Sequence, residues 1–168
     1  MTNEDSRENK KLQPGAERRL RDTTEQTTQQ IAEAKTIEQK IKTVNTILHE
    51  GEPKNISIDN YSGFTGYKPQ YIVDAMNAVF KIGQWGFEEV ASEIVTHTTE
   101  KGTSSLAIAQ VKVWIKDIEF KPVGYGQSRV TKGDVGDAKK GAQTDAIKKA
   151  LSYFSIGNRA YHGLLRAA

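Results

Sequence analysis

Basic side chains are concentrated in the later part of the sequence, and their types and spacing suit the binding of phosphate groups. Two adjacent lysine pairs, Lys139 with Lys140 and Lys148 with Lys149, flank the short segment GAQTDAI. From Gly102 onward the chain has 11 Lys and Arg against 5 Asp and Glu, whereas the rest has 13 against 16. An uneven basic excess of this kind is typical of a polyanion partner. It is also typical of a solvated helix face, and both interpretations stand at this point.

Aromatic side chains are interleaved with these cations. Trp114, Tyr125 and Tyr153 all lie in the basic part of the chain. Cations neutralise phosphates and aromatic rings stack on any base, so the combination suits sequence-tolerant binding of a single strand. Taken one at a time, Trp114 and Tyr153 are better explained as half-buried packing residues. The candidate binding residues are Lys112, Tyr125, Arg129, Lys132, Lys139, Lys140, Lys148, Lys149 and Arg159.

One segment, KDIEFK, supports an enzyme hypothesis. Asp117, Glu119 and Lys121 alternate at what the sequence predicts to be a strand end, so their side chains would project to one side. Some nucleases hold Mg²⁺ and orient a water molecule with this acid–x–lysine arrangement. A charged strand end before Pro122 explains the pattern as well, so a magnesium-dependent nuclease is the less favoured alternative.

Other enzyme signatures are missing from the sequence. His49, His97 and His162 are far apart and lack the spacing of metal ligands. The segment GYGQSR lacks the third glycine of a dinucleotide fingerprint, and no phosphate loop of the Gly-Lys-Ser/Thr type occurs. We therefore predict no cofactor, no metal and no catalytic residue, and a protein that is not an enzyme.

Composition sets the expected location and organisation. The sequence has no cysteine, which excludes disulfides and suits an intracellular protein of the cytoplasm or nucleoid. No apolar run approaches the roughly 18 residues of a membrane-spanning helix, and MTNEDSRENKK lacks the apolar core of a secretory signal. Residues 1–27 are polar, and we expect a disordered tail there, followed by one domain over residues 28–168.

Apolar spacing predicts two helices before the basic region. The first runs to about His49, and its apolar stripe recurs every three or four residues at Ala34, Ile37, Ile41, Val44 and Leu48. A short strand at Ile56 and Ile58 and a turn-rich loop follow. Pro69 can open the second helix, whose predicted buried face comprises Ile72, Met76, Val79 and Phe80.

Strands are predicted next. The segment from Trp85 to about Thr98 is β-compatible, and EKGTS predicts a hairpin turn. The following segment alternates, with a packed face predicted at Ala109, Val111, Val113 and Ile115. In the third strand, VGYGQSR, Gly124 and Gly126 permit the close approach of another element.

The lysine pairs lie on a predicted last helix. Asp137 is its predicted cap, and the i, i+4 spacing places Lys149 near Asp145. The apolar face comprises Ala146, Ile147, Ala150, Leu151 and Phe154. The order of elements predicts an α+β fold, an antiparallel three-stranded sheet packed by helices in a β-β-β-α core, with an N-terminal helix.

The segment VGYG, followed by DAKKGAQTDAIKKALSYF, resembles the annealing domain of the Rad fifty-two family of recombination mediators. The shared signature is a Gly-Tyr-Gly strand end, then a helix with basic residues, Thr-Asp, a second basic pair, Ala-Leu and Phe. The segment YIVDAMNAVFKIGQWGF is similar to the family's helix that leads to a Trp, and AIAQVKVWIKD also fits. The resemblance covers about Tyr67 to Gly157, and the chain is most similar to compact bacterial, archaeal or phage relatives.

The resemblance implies roles for the basic residues. Members of the family form rings that hold single-stranded DNA in a basic outer groove and anneal complementary strands without ATP. By similarity Lys148 and Lys149 bind phosphates, Lys139 and Lys140 add to the groove, and Tyr67 lies near an aromatic groove position. The recombinase and single-strand-binding partners of eukaryotic members are not implied for this chain.

These observations predict a homo-oligomer, in the form of a ring, that binds and anneals single-stranded DNA in recombination and double-strand break repair. A module that binds single-stranded DNA or RNA without annealing it is the first alternative. The magnesium-dependent nuclease is the second.

Overall fold

A computed structural model describes residues 36–52, 54–58, 65–100 and 102–165 of the chain. The chain divides into two units, Met1–Gln39 and Lys40–Ala168, and all packing below lies within the second. The predicted tail of residues 1–27, and Ala34 of the predicted first stripe, lie outside the described residues. The boundary between tail and domain therefore stays a prediction.

The described residues form a mixed helix and strand fold. In chain order the elements are α1 over residues 36–50, β1 Ile56–Ile58, β2 Thr65–Tyr67, α2 Pro69–Phe80, β3 Trp85–Thr99, β4 Gly102–Ile115, β5 Val123–Arg129, α3 Val135–Ser152 and α4 Asn158–Tyr161. Strands β1 and β2 form a two-stranded antiparallel sheet, and β3, β4 and β5 form a three-stranded antiparallel sheet in that order. The predicted α+β class, with its three-stranded sheet and N-terminal helix, is confirmed.

Strand β4 is the centre of the three-stranded sheet and has one packed face. Its buried residues are Ala107, Ala109, Val111, Val113 and Ile115. The residues between them are half-buried, so the alternation predicted from the sequence is confirmed. Because successive side chains of a strand point to opposite faces, one face of the sheet packs in the core and the other, the wet face, meets solvent.

Strand β3 is an edge strand that extends past β5. It pairs with β4 along its whole length, from Trp85 opposite Ile115 to Thr99 opposite Gly102, with a bulge between Glu89 and Ala91. Strand β5 pairs with β4 only over 106–112. The outer end of the β3–β4 hairpin is therefore a two-stranded ribbon.

Helix α3 covers the packed face along β4 and β5. A Cβ atom added to Gly124 would lie 2.0 Å from the Ala146 carbonyl oxygen, and one added to Gly126 would lie 2.0 Å from that of Ala142. Glycine in the strand and alanine in the helix thus let the two backbones meet, which confirms the predicted close approach. The buried face of α3 comprises Ala138, Ala142, Ala146, Ile147, Ala150 and Leu151, followed by Phe154.

The start of α3 differs from the prediction. The N-cap is Asp134, whose carboxylate accepts a hydrogen bond from the backbone N–H of Asp137 at 2.9 Å. The prediction of Asp137 as the cap is wrong by one turn, since Asp137 is the third residue of the helix. An N-cap carboxylate accepts a hydrogen bond from the N–H group three residues later. Asp134 and Asp137 have this spacing, so the sequence alone does not show which of them is the cap.

Helices α1 and α2 complete the core at most of the predicted positions, although Val79 of α2 is half-buried instead of buried. Val44 and Leu48 of α1 are fully buried, and Ile72, Met76 and Phe80 of α2 are buried. One element was not predicted, because the region interpreted as a turn-rich loop contains β2. Three residues that include a glycine give too short an alternation to indicate a strand, and β2 is fixed by its pairing with β1.

Candidate nucleic-acid interface

Equivalent members of the two lysine pairs lie on opposite sides of α3, whereas Lys140 and Lys148 are only about 80° apart around the helix. A helix turns about 100° per residue, so nine residues separate Lys139 from Lys148 by half a turn and about 13 Å along the axis. The same relation holds between Lys140 and Lys149. The four lysines therefore do not form one continuous row, although the sequence signature places them on one helix.

The earlier pair belongs to an exposed cluster at the end of the sheet where β5 stops and α3 begins. Its members, called the turn cluster, are Arg129, Lys132, Lys139 and Lys140. Arg129 is the last residue of β5, and Lys132 lies in the tight turn closed by the bridge between Thr131 and Asp134. Within the described ranges, no salt bridge neutralises the three lysines of this cluster.

Lys148 and Lys149, the later pair, have different surroundings. Lys148 is half-buried beside β2, where a Cβ atom added to Gly66 would lie 3.9 Å from the Lys148 Nζ. No salt bridge to Lys148 occurs in the parts of the chain that the structure describes. Lys149 donates to Asp145 Oδ2 at 2.9 Å, as the i, i+4 spacing predicted.

Asp145 is fixed in place by more than its lysine. The same Oδ2 atom accepts the backbone N–H of Gln127 at 3.2 Å, which joins α3 to β5. Tyr161 of α4 lies close by, and burial together with the charge of Asp145 raises the pKa of Tyr161 to about 12. Only a folded structure brings the Gln127 amide and Tyr161 to this carboxylate, so no sequence signal indicated them.

Lys112 and Tyr125 lie on the wet face of the sheet, away from α3. The Lys112 Nζ lies 2.7 Å from Glu88 Oε2 on the neighbouring strand. That hydrogen bond and the charge of Lys112 lower the pKa of Glu88. Tyr125 is 59% exposed. Its partner in the strand pairing, Gln110, lies two residues from Lys112 on β4, so this aromatic ring and this cation share one surface.

Arg159 and Tyr67 meet at Glu52 instead of at the lysines. The Tyr67 hydroxyl donates to Glu52 Oε1 at 2.6 Å, and Arg159 Nε donates to the same oxygen at 3.3 Å. His49 Nδ1 lies 3.5 Å from the other oxygen. Burial raises the pKa of Glu52, but hydrogen bonds from Tyr67 and Arg159 and nearby positive charge outweigh it, and the net pKa is lowered.

The bonds to Glu52 show that Tyr67 and Arg159 stabilise the fold. The ring of Tyr67 is buried, and burial and the bond to Glu52 raise the pKa of Tyr67. A buried ring offers no face on which a base can stack. The Arg159 guanidinium also donates through Nη2 to the Leu164 carbonyl at 3.2 Å, so its donors bind the segment after α1 and the segment after α4.

The nuclease hypothesis loses its geometric basis. Strand β4 ends at Ile115, and Asp117 adopts a left-handed backbone with φ of 67°. Residues 118–122 have no regular structure, so the predicted alternation that would align Asp117, Glu119 and Lys121 is wrong. Among the described residues, no group of three His, Cys, Asp or Glu side chains could hold a metal ion.

One property of the helices bears on the membrane prediction. In the described ranges, none of the helices has the length and apolar character needed to cross a bilayer.

Comparison with known families gives one match. The model of the Rad52/22 family double-strand break repair protein matches residues 63–164, which is more than half of the 168 residues. The match extends from β2 to α4 and includes both lysine pairs. It confirms the resemblance predicted from the Gly-Tyr-Gly strand end and the helix that follows it. No curated protein sequence matches the chain.

Proposed function

Because the chain belongs to the Rad52/22 family of double-strand break repair proteins, we propose that it binds single-stranded DNA and anneals complementary strands without ATP. The setting would be recombination and double-strand break repair, in the cytoplasm or nucleoid. The observation that carries the proposal is the family match, which includes helix α3 and its lysines.

Helix α3 supplies the proposed phosphate contacts. Its packed face fixes the helix on the sheet, so the backbone that carries Lys148 and Lys149 is held in place without help from DNA. Lys148, half-buried and outside the ion pairs of the described residues, is the central phosphate ligand. The mechanism is electrostatic and geometric: cations hold the backbone and leave base edges exposed for a second strand. It involves no covalent step and no cofactor.

The turn cluster supplies a separate contact. Arg129, Lys132, Lys139 and Lys140 are exposed, and Lys139 lies half a turn around α3 from Lys148. Tyr125, exposed on the wet face beside Lys112, is one aromatic side chain proposed to stack on a base. Tyr153, directly after α3, is 65% exposed, so its prediction as a half-buried packing residue is wrong. Tyr67 and Arg159 are left out of the proposed interface because both are bonded to Glu52.

Assembly into a homo-oligomeric ring is part of the proposal, and β3 supports it. This strand has 15 residues, against about 5–6 for an ordinary strand, and it lies at the edge of its sheet. Exposed apolar side chains occur along it at Phe87, Val90, Ile94 and Val95. A long, apolar edge strand is a surface on which another chain can pair.

The decisive experiment is an annealing assay with two labelled complementary oligonucleotides, in the absence of ATP and Mg²⁺. Wild type would be compared with the double variant K148E/K149E, and mass photometry on the same samples would report the oligomeric state. We expect a multimer that accelerates pairing, and a folded double variant that does not.

The other outcomes separate the alternatives. Binding without acceleration would favour the non-annealing module, and a preference for duplex RNA would support contacts to sugar hydroxyls. A double variant that unfolds would show that the lysines are structural, and wild type that fails to bind would refute the proposal.

A further inference from the structure

Lys148 and Lys149, neighbours on α3, differ in their ion pairing. The Lys149 Nζ lies 2.9 Å from Asp145 Oδ2, with the two side chains 42% and 28% exposed. Lys148 has no such partner among the residues that the structure describes. The two cations are therefore unequal as ligands for a phosphate, although the sequence presents them as a pair.

The carboxylate that holds Lys149 is itself anchored. Exposed ion pairs on a helix surface exchange freely with solvent and contribute little. Asp145 differs because its Oδ2 also accepts the Gln127 backbone N–H at 3.2 Å. A carboxylate attached to the β5 backbone cannot follow the lysine out to a ligand, and it stays as a negative charge beside any phosphate that arrives.

Charge pairing of this kind weakens DNA binding in two ways. A lysine already neutralised by a carboxylate displaces fewer counterions when it reaches a phosphate, which lowers both affinity and its dependence on salt. The anchored carboxylate also repels the phosphate. We propose that Asp145 limits the affinity of this protein for single-stranded DNA by holding Lys149 in an ion pair, which leaves Lys148 as the phosphate-binding member.

The inference rests on the proposed function and adds the residue that sets how tightly the strand is held. A protein that anneals must give up the strands once they have paired, so a limited affinity favours release of the product. Asp145 thus sets the affinity of the surface without itself binding DNA.

The substitution Asp145→Asn separates charge from structure. An asparagine oxygen can still accept the Gln127 N–H, but the amide no longer pairs with Lys149 as an anion. The probe is a thymidine oligonucleotide, titrated by fluorescence anisotropy at about 50 and about 200 mM salt. The ratio of interest is the affinity at about 50 mM salt divided by the affinity at about 200 mM salt. One added phosphate contact to a single strand should raise this ratio by about 2.6-fold.

Two comparisons make the test specific. In a Lys149→Met background, Asp145→Asn should no longer tighten binding, because the lysine that it frees is missing. Asp137→Asn makes the same change in net charge on the same helix, at an exposed carboxylate outside the ion pairs of the described residues. It should leave the salt dependence nearly unchanged.

The outcomes separate this inference from the function on which it rests. Tighter and more salt-dependent binding by D145N, abolished in the Lys149→Met background, supports it. Unchanged or weaker binding by folded D145N overturns it, as does an equal gain in both backgrounds or from D137N. If wild type does not bind the oligonucleotide, the proposed function fails first.

Discussion

The two edge strands of the three-stranded sheet, β5 and β3, differ in length and in what covers them. Strand β5 has seven residues, with α3 pressed on its glycines and the backbone N–H of Gln127 bonded to Asp145. Strand β3 has 15 residues, is exposed along most of its length and has exposed apolar side chains. Among the described residues, one edge is thus covered from within the chain and the other is uncovered.

This difference matches the two tasks that are proposed for one small sheet, DNA binding and assembly. An uncovered edge strand invites pairing with another chain, and proteins that avoid it shorten, charge or cover that strand. Strand β5 is short and covered by α3, whereas β3 is long and is protected, among the described residues, only by a bulge and by charged side chains such as Glu88 and Glu89. The covered side also holds Lys148, Lys149 and the turn cluster, so the proposed function places DNA on the side of β5 and α3 and assembly on β3.

The largest expected effect comes from changing the uncovered edge. Val95→Glu places a charge on an exposed apolar position of β3, where assembly would have to bury it. We expect mass photometry to show subunits or small species in place of the wild-type oligomer, with the circular dichroism spectrum unchanged. Gln127→Lys, on the same face at the opposite edge, is the matched control and should keep the wild-type mass. A V95E protein of wild-type mass would remove β3 from the interface.

The covered edge should respond through stability. Gly126→Ala would place a Cβ atom 2.0 Å from the Ala142 carbonyl oxygen, which forces α3 away from β5. Overpacking of this kind costs about 1–3 kcal/mol. Chemical denaturation would measure the loss, and Gly136→Ala, where the nearest atom is 3.6 Å away, should leave stability within about 1 kcal/mol of wild type. Equal effects of the two substitutions would contradict the close packing of β5 against α3.

Helix α4 completes the covered side, and Glu52 holds it through Arg159. The substitution Glu52→Gln should lower the free energy of unfolding by about 1–2 kcal/mol at neutral pH, because it removes a charged hydrogen-bond acceptor. The pKa of Glu52 is lowered from 4.5 by folding, so its contribution is present above that pH and is lost as pH falls below it. Urea denaturation at several pH values should show the gap between E52Q and wild type narrowing in acid. A gap that stays constant below pH 4.5 would exclude an ionised Glu52 as its cause.

The smallest effect tests whether the covered side has two independent basic patches. Replacing Lys139 and Lys140 with Met should lower the ratio of affinities between about 50 and 200 mM salt by about 7-fold, for two lost contacts to a single strand. Because both lysines lie about 12 Å or more from Lys148 along the axis of α3, their effect should add to that of Lys148→Met in the triple variant. A strongly non-additive triple variant would show that the patches act as one groove.

Much of this fold is predictable because its signals are local. The alternation of β4, the stripe of α2 and the glycines of β5 each depend on neighbours in sequence, and all three predictions were confirmed. The placement of Lys139 and Lys148 on opposite sides of α3 could also have been predicted from their spacing of nine residues. The family signature lists both only as basic residues of one helix.

The remainder depends on distant pairs. Glu52 lies 107 residues from Arg159, and no pattern in either segment indicates the other. Tyr67 is polar enough to be taken for a surface residue until its hydroxyl is seen to donate to the same carboxylate. The Asp145 bond to the Gln127 amide involves a backbone group, which every residue except proline carries, so a side-chain pattern cannot reveal it.

The hairpin beyond β5 has a consequence for how fast the molecule exchanges its amide hydrogens. Strand β5 pairs with β4 only over residues 106–112, and a two-stranded ribbon alone is marginally stable in water. The amides of the outer ribbon should therefore open and take up deuterium without unfolding of the rest. A neighbouring chain that pairs along β3 would slow the exchange of the same amide hydrogens. The exchange rate of the outer ribbon therefore measures assembly without an attached label.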